Sequence, residues 1–93
     1  MKLLLFLSFT LYLSSFAEVK SSPETFKGSD GKELLYRIYS PENLKADQKV
    51  PIILLLHGAG ERGNDNKRQI AHGFNQLADY SIKSGKPAII IAP

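Results

Sequence analysis

Cysteine is absent from this 93-residue chain, which excludes disulfides and thiolate metal sites and leaves the redox state of its compartment unread. No apolar run is long enough to cross a hydrocarbon core, which takes about 20 residues of helix. The best candidate, residues 3–13, is short and is broken by Ser8 and Thr10. Blocks of one charge sign are also missing. Lysines and arginines are interleaved with acids to a formal net charge of +3, so no basic stripe marks a nucleic-acid partner. There is no internal repeat and no low-complexity segment.

What the first residues do contain is the three-part plan of an export signal. Met1-Lys2 supplies the positive start and residues 3–13 the apolar core. Ser15-Phe16-Ala17 then puts small residues at the two positions a signal peptidase reads. The expectation is a signal peptide over residues 1–17, cleaved after Ala17, and a product that is secreted or periplasmic with no stable membrane anchor. A lipoprotein would need a cysteine at the cut. Residues 18–24 are polar and contain Pro23, which reads as a flexible leader. The rest suffices for one small domain, whereas α/β folds with parallel strands are usually about twice as long or more.

From Thr25 the pattern is strand, turn, strand. Asp30-Gly31 is a tight-turn signal, because glycine accepts positive φ without steric cost. Over residues 33–40, Leu34, Tyr36 and Ile38 share one face and Leu35, Arg37 and Tyr39 the other. Pro51 then introduces Ile52-Ile53-Leu54-Leu55-Leu56, five apolar residues without alternation, as in a parallel strand buried on both faces. A polar, glycine-rich loop over residues 57–66 follows. A helix is expected over 67–82, with Ile70, Phe74, Leu77 and Ser81 at helical spacing. Asn66 is its expected cap with Gln69 reciprocating, and Gly73 is a point of weakness where it can split. Residues 88–92 form a second buried-type strand. Strand, helix, strand make a β-α-β unit, which places ligands at the C-terminal ends of its strands, where the glycine loop lies.

That loop and its strand read Pro51-Ile52-Ile53-Leu54-Leu55-Leu56-His57-Gly58-Ala59-Gly60-Glu61-Arg62-Gly63-Asn64-Asp65-Asn66. A buried strand running into His-Gly-x-Gly resembles the oxyanion loop of the α/β-hydrolase superfamily. The longer string is similar to its branch of secreted bacterial predicted peptidases, phospholipase/carboxylesterase-like proteins and feruloyl-esterase-like hydrolases. Leu35-Tyr36-Arg37-Ile38-Tyr39 and residues 87–93 resemble strands of the same branch. The resemblance covers residues 25–93 and implies an α/β fold: the N-terminal part of an α/β-hydrolase sheet, a β-hairpin followed by a β-α-β unit, incomplete as it stands.

Hydrolysis of an ester or amide passes through a tetrahedral intermediate whose oxygen becomes negative, and prefixed backbone N–H groups stabilise it. Losing one donor typically costs about 3–4 kcal/mol. Glycine lets the backbone approach substrate closely. The resemblance assigns the local donor to the Ala59 N–H, with the Gly60 N–H as alternative and Gly58 shaping the loop. His57 braces the loop and is not the catalytic base, since the superfamily's triad histidine comes last. Arg62 is a candidate substrate contact, and Glu61 or Arg62 can tie the loop down by a salt bridge. Asp65 is a turn or helix-start residue, His72 a surface residue of the expected helix, and Lys67 and Arg68 a solvated face. No Gly-x-Ser-x-Gly occurs, so nucleophile, acid and base are all missing and the polypeptide alone is expected to be inactive. The resemblance implies a parent that cleaves a small-molecule carboxylic ester, or less readily a peptide, without metal or organic cofactor.

Two rivals stand beside this reading. Gly58 to Gly63 also fits the Gly-x-Gly-x-x-Gly of dinucleotide-binding folds. However, polar Asn64-Asp65-Asn66 follows where apolar helix positions are needed, and Ala92-Pro93 closes the second strand where an acid is needed. The other is a small exported binding or structural protein that is not an enzyme.

Overall fold

The chain first turns back on itself at Asp30-Gly31. The structure, a computed structural model, describes residues 19–93, so the signal segment and its cut after Ala17 lie outside the described residues. Gly31 takes φ +81°, where a side chain would be strained. Asp30 accepts the Lys32 amide at 3.0 Å, and the Gly31 amide donates to the Gly28 carbonyl at 3.0 Å. The turn joins β1 (Ser22–Lys27) to β2 (Glu33–Tyr39) in antiparallel register, with Phe26 opposite Leu34 and Glu24 opposite Tyr36. β1 thus begins inside the expected flexible leader: residues 22–24 are sheet. All six β1 side chains are exposed, so the strand is held by its backbone ladder and its polarity gives no sign of order.

β3 (Ile52–Leu54) and β4 (Ile89–Ala92) pair in parallel, with Ile53 beside Ile90 and Leu54 beside Ile91. The Leu55 amide extends the pairing by donating to the Ile91 carbonyl at 2.9 Å. β2 lies antiparallel on the other side of β4, which gives the order β1-β2-β4-β3. Between β3 and β4 the chain forms α1 (Phe74–Ser84). Phe74, Ala78 and Ser81 recur at helical spacing and are buried. Phe74 and Ala78 join Tyr39, Ile90 and Ala92 in the core, with Ile53, Leu55, Ile70 and Leu77 packed at its margin. Burial of the Phe74 side chain alone contributes about 1.5–3 kcal/mol. No helix among the described residues is long and apolar enough to cross a membrane.

Three details differ from the sequence reading. The strand expected over residues 52–56, buried on both faces, is a shorter strand covered on one. The pleat turns Ile53 and Leu55 toward the core, while Ile52, Leu54 and Leu56 stand on the other face and Leu54 is 60% exposed. The helix expected over 67–82 does break at Gly73, the weak point, but the part before the break is not α-helix. Arg68–Ile70 form a single 3-10 turn, Gly73 adopts φ +85°, and α1 starts only at Phe74. His72 therefore sits in the intervening turn and not on a helix. Finally, Asn66 has φ +53° and does not cap this segment. Asp65 does, accepting the Lys67 and Arg68 amides at 3.0 and 3.1 Å, while Gln69 donates to the Asn66 side chain.

Ser81 fastens the end of α1 to the start of β4. Its hydroxyl donates to the Lys86 carbonyl at 2.7 Å and accepts the Ala88 amide at 3.1 Å. Ser81→Ala leaves both backbone groups without that partner and is expected to cost about 1–3 kcal/mol, read as a shift of the urea midpoint. Ser84→Ala, at an exposed position, is expected to change stability by no more than about 0.5 kcal/mol. Equal losses in the two variants would contradict this account.

Candidate functional site

Parallel pairing of β3 with β4 delivers residues 55–66 to the C-terminal edge of these strands. Gly58 is extended at φ −81°, ψ 178°, Ala59–Glu61 make one 3-10 turn, and Arg62 is extended again. The Glu61 amide closes the turn on the Gly58 carbonyl at 3.2 Å. His57 Nδ1–H donates to the same carbonyl at 2.7 Å, which places a proton on Nδ1. The His57 side chain thus bonds the backbone of the residue that follows it.

One consequence is geometric. The Gly58 carbonyl and the Ala59 N–H belong to one peptide unit, and the described chain has no cis bonds. In a trans peptide the two groups point in opposite directions. Two donors holding the carbonyl on one side therefore aim the Ala59 N–H away on the other. Among the described residues neither the Ala59 nor the Gly60 amide has a hydrogen-bond partner, and both residues are exposed. The space where a Gly60 side chain would stand is open, with no atom within 4 Å. At Gly58 a Cβ would lie 3.0 Å from Glu61 Oε2, so a side chain there would press on the acid that anchors the loop.

Glu61 Oε1 lies 3.4 Å from His72 Nε2, and this contact ties the glycine loop to the turn before α1. Further along, Arg68 Nη1 donates to the Arg62 carbonyl at 3.4 Å, and the Asn66 side-chain amide donates to the Tyr36 carbonyl of β2 at 3.2 Å. The Arg62 side chain is exposed with no partner among the described residues. The sequence pattern gave no sign of the Glu61–His72 contact or of Asn66 as the tie to β2. Contacts between residues 11 and 30 positions apart leave no local pattern. Among the described residues no cluster of His, Cys, Asp and Glu is arranged to hold a metal ion.

The dinucleotide alternative needs an α-helix to begin inside Gly58 to Gly63, presenting free amides to a pyrophosphate. Here that stretch holds only the short 3-10 turn, and α1 starts at Phe74.

Backbone hydrogen bonds from Lys67 and Arg68 hold the Asp65 carboxyl below the ordinary value of 3.8. A lowered folded pKa means that the stabilisation by this cap is complete above the unfolded value and is lost as pH falls through the folded one. An NMR titration should place the Asp65 midpoint below 3.8, with the Lys67 and Arg68 amide signals moving in step. A midpoint at or above 3.8 would show that the cap does not form.

Comparison with known proteins falls on the same architecture. No family model matches the chain, and no curated protein sequence matches it. Among solved structures it is similar to a thermostable esterase, with a TM-score of 0.66 and 36% identity over 78% of this chain. The match covers 20% of that esterase, so the chain spans about a fifth of its length. Sheet order, register and this likeness together give the fold: the N-terminal part of an α/β-hydrolase sheet, an antiparallel hairpin followed by a β-α-β unit.

Proposed function

We propose that this chain is the N-terminal segment of a secreted serine hydrolase acting on small carboxylic esters, and that the loop after β3 supplies a donor to its oxyanion hole. The carrying observation is the peptide between Gly58 and Ala59, whose carbonyl is held by two donors while its N–H faces outward without a partner. An amide fixed before reaction stabilises developing charge without reorganising at the moment of bond formation. Attack by a serine on the ester carbonyl would place the oxyanion against the Ala59 N–H, with Gly60 as the adjacent donor and its missing side chain leaving room for substrate. Arg62, exposed beside this turn, is the candidate contact for the rest of the substrate. Ester is favoured over peptide by the likeness to an esterase. Secretion rests on the export pattern of residues 1–17.

The 93 residues contain no Gly-x-Ser-x-Gly, so the polypeptide by itself is expected to show no turnover of a chromogenic short-chain ester above buffer. The coding DNA beyond codon 93 is expected to encode such a motif within about a hundred codons, and its absence there would remove the parent enzyme from the proposal. In that complete hydrolase Ala59→Pro tests the donor itself. Gly58 is extended and Ala59 opens the 3-10 turn, positions that proline tolerates, so the change deletes an N–H with little disturbance of the fold. The expected outcome is a fall in kcat of about a hundred- to a thousandfold with the urea midpoint nearly unchanged. Full activity in Ala59→Pro would assign the donor elsewhere.

A further inference from the structure

On the α1 side of the sheet, a cleft of about 570 Å³ is lined by Lys20, Ser21, Arg37, Lys67 and Asn75 among others, with three cationic side chains and no acidic one among the described residues. Arg37 stands on β2 opposite Pro23 and Ala92. Among the described residues its guanidinium makes no salt bridge or hydrogen bond, and its Nε is fully enclosed without a partner. Enclosed donors in folded proteins are nearly always satisfied, so one left open beside a cleft points to an acceptor that arrives from outside. Lys67 enters the cleft from the end of the glycine loop and Lys20 from the chain leading into β1.

A second feature adds to the positive field. Asn75 belongs to the first turn of α1, and the cap of that helix, Gly73, offers no side-chain acceptor to it. Uncapped first-turn amides and the positive end of the helix dipole favour an anion. We propose that this cleft is a binding site for a phosphate group, borne by a small phosphate monoester or by free phosphate. The Arg37 guanidinium matches its oxygens in two directions, and Lys67 and Lys20 balance its second charge. Three cations facing one cavity suit a dianion better than a carboxylate. The volume leaves room for an organic substituent beyond the phosphate itself. The proposal does not depend on ester hydrolysis, since the cleft is lined by none of residues 57–63.

The test is an NMR titration of the full chain with inorganic phosphate, phenyl phosphate and acetate at constant ionic strength. Saturable shifts at Ser21, the Arg37 Nε–H and Asn75 are expected for both phosphates, with acetate at least about tenfold weaker. Tighter binding of phenyl phosphate assigns the site to a monoester, and equal binding assigns it to free phosphate. Arg37→Gln should weaken binding by about tenfold or more. The double variant Lys20→Gln/Lys67→Gln, at two exposed positions, should do the same if Arg37→Gln fails to fold. Lys27→Gln, which removes one positive charge at the hairpin end of β1, should leave binding unchanged. Equal weakening in Lys27→Gln, or no saturable shift in the unaltered chain, overturns the proposal.

Discussion

The candidate site depends on how one peptide plane is held. The Gly58 carbonyl receives the His57 ring N–H at 2.7 Å and the Glu61 amide at 3.2 Å. Because the peptide is trans, the two bonds decide the direction of the Ala59 N–H as firmly as if it were bonded itself. The His57 ring thus bears on the Ala59 N–H through the orientation of the peptide, and the space beside Gly60 is open. Glu61 takes part twice, closing the turn with its backbone and anchoring it to His72 with its side chain. Loop geometry and loop attachment thus converge on one short stretch.

That stretch lies where it does because β3 and β4 run parallel. Parallel neighbours need a crossover, and α1 supplies it while burying Phe74 and Ala78 against the sheet. The crossover covers one face. On the other, Phe26, Leu34 and Leu54 are more than half exposed. β3 is an edge of the described sheet with an unpaired side. Sheets of this kind are normally covered on both faces, whereas among the described residues one apolar face and the β3 edge stand open.

Much of this was legible in residue order. Asp30-Gly31 announced the hairpin, and the unbroken run after Pro51 announced a parallel strand. The His-Gly-x-Gly string placed the glycine loop at the strand ends. What escaped has physical causes. β1 extends back to Ser22 because backbone pairing, which needs no apolar side chain, holds it. The run over residues 52–56 has apolar residues on both faces, yet only one face is covered among the described residues, and composition cannot tell a covered face from one awaiting cover. The break at Gly73 was foreseen, but not that Arg68–Ile70 before it make only a 3-10 turn, which the continuous periodicity concealed. Asp65 caps where Asn66 was expected, since Asn66 is itself left-handed and spends its side chain on Tyr36. The Arg37 left unpartnered among the described residues could not be read at all, because the cleft it lines with Lys20 and Lys67 is assembled from residues distant in sequence.

The most direct measurement is a crystal structure of the proposed parent hydrolase carrying a phosphonate ester on the proposed serine, a mimic of the tetrahedral intermediate. The account predicts a phosphonyl oxygen about 2.7–3.1 Å from the Ala59 or Gly60 nitrogen, with the His57 bond to the Gly58 carbonyl intact. A phosphonyl oxygen held by other donors, with the Ala59 amide turned inward or bonded within the protein, would contradict it.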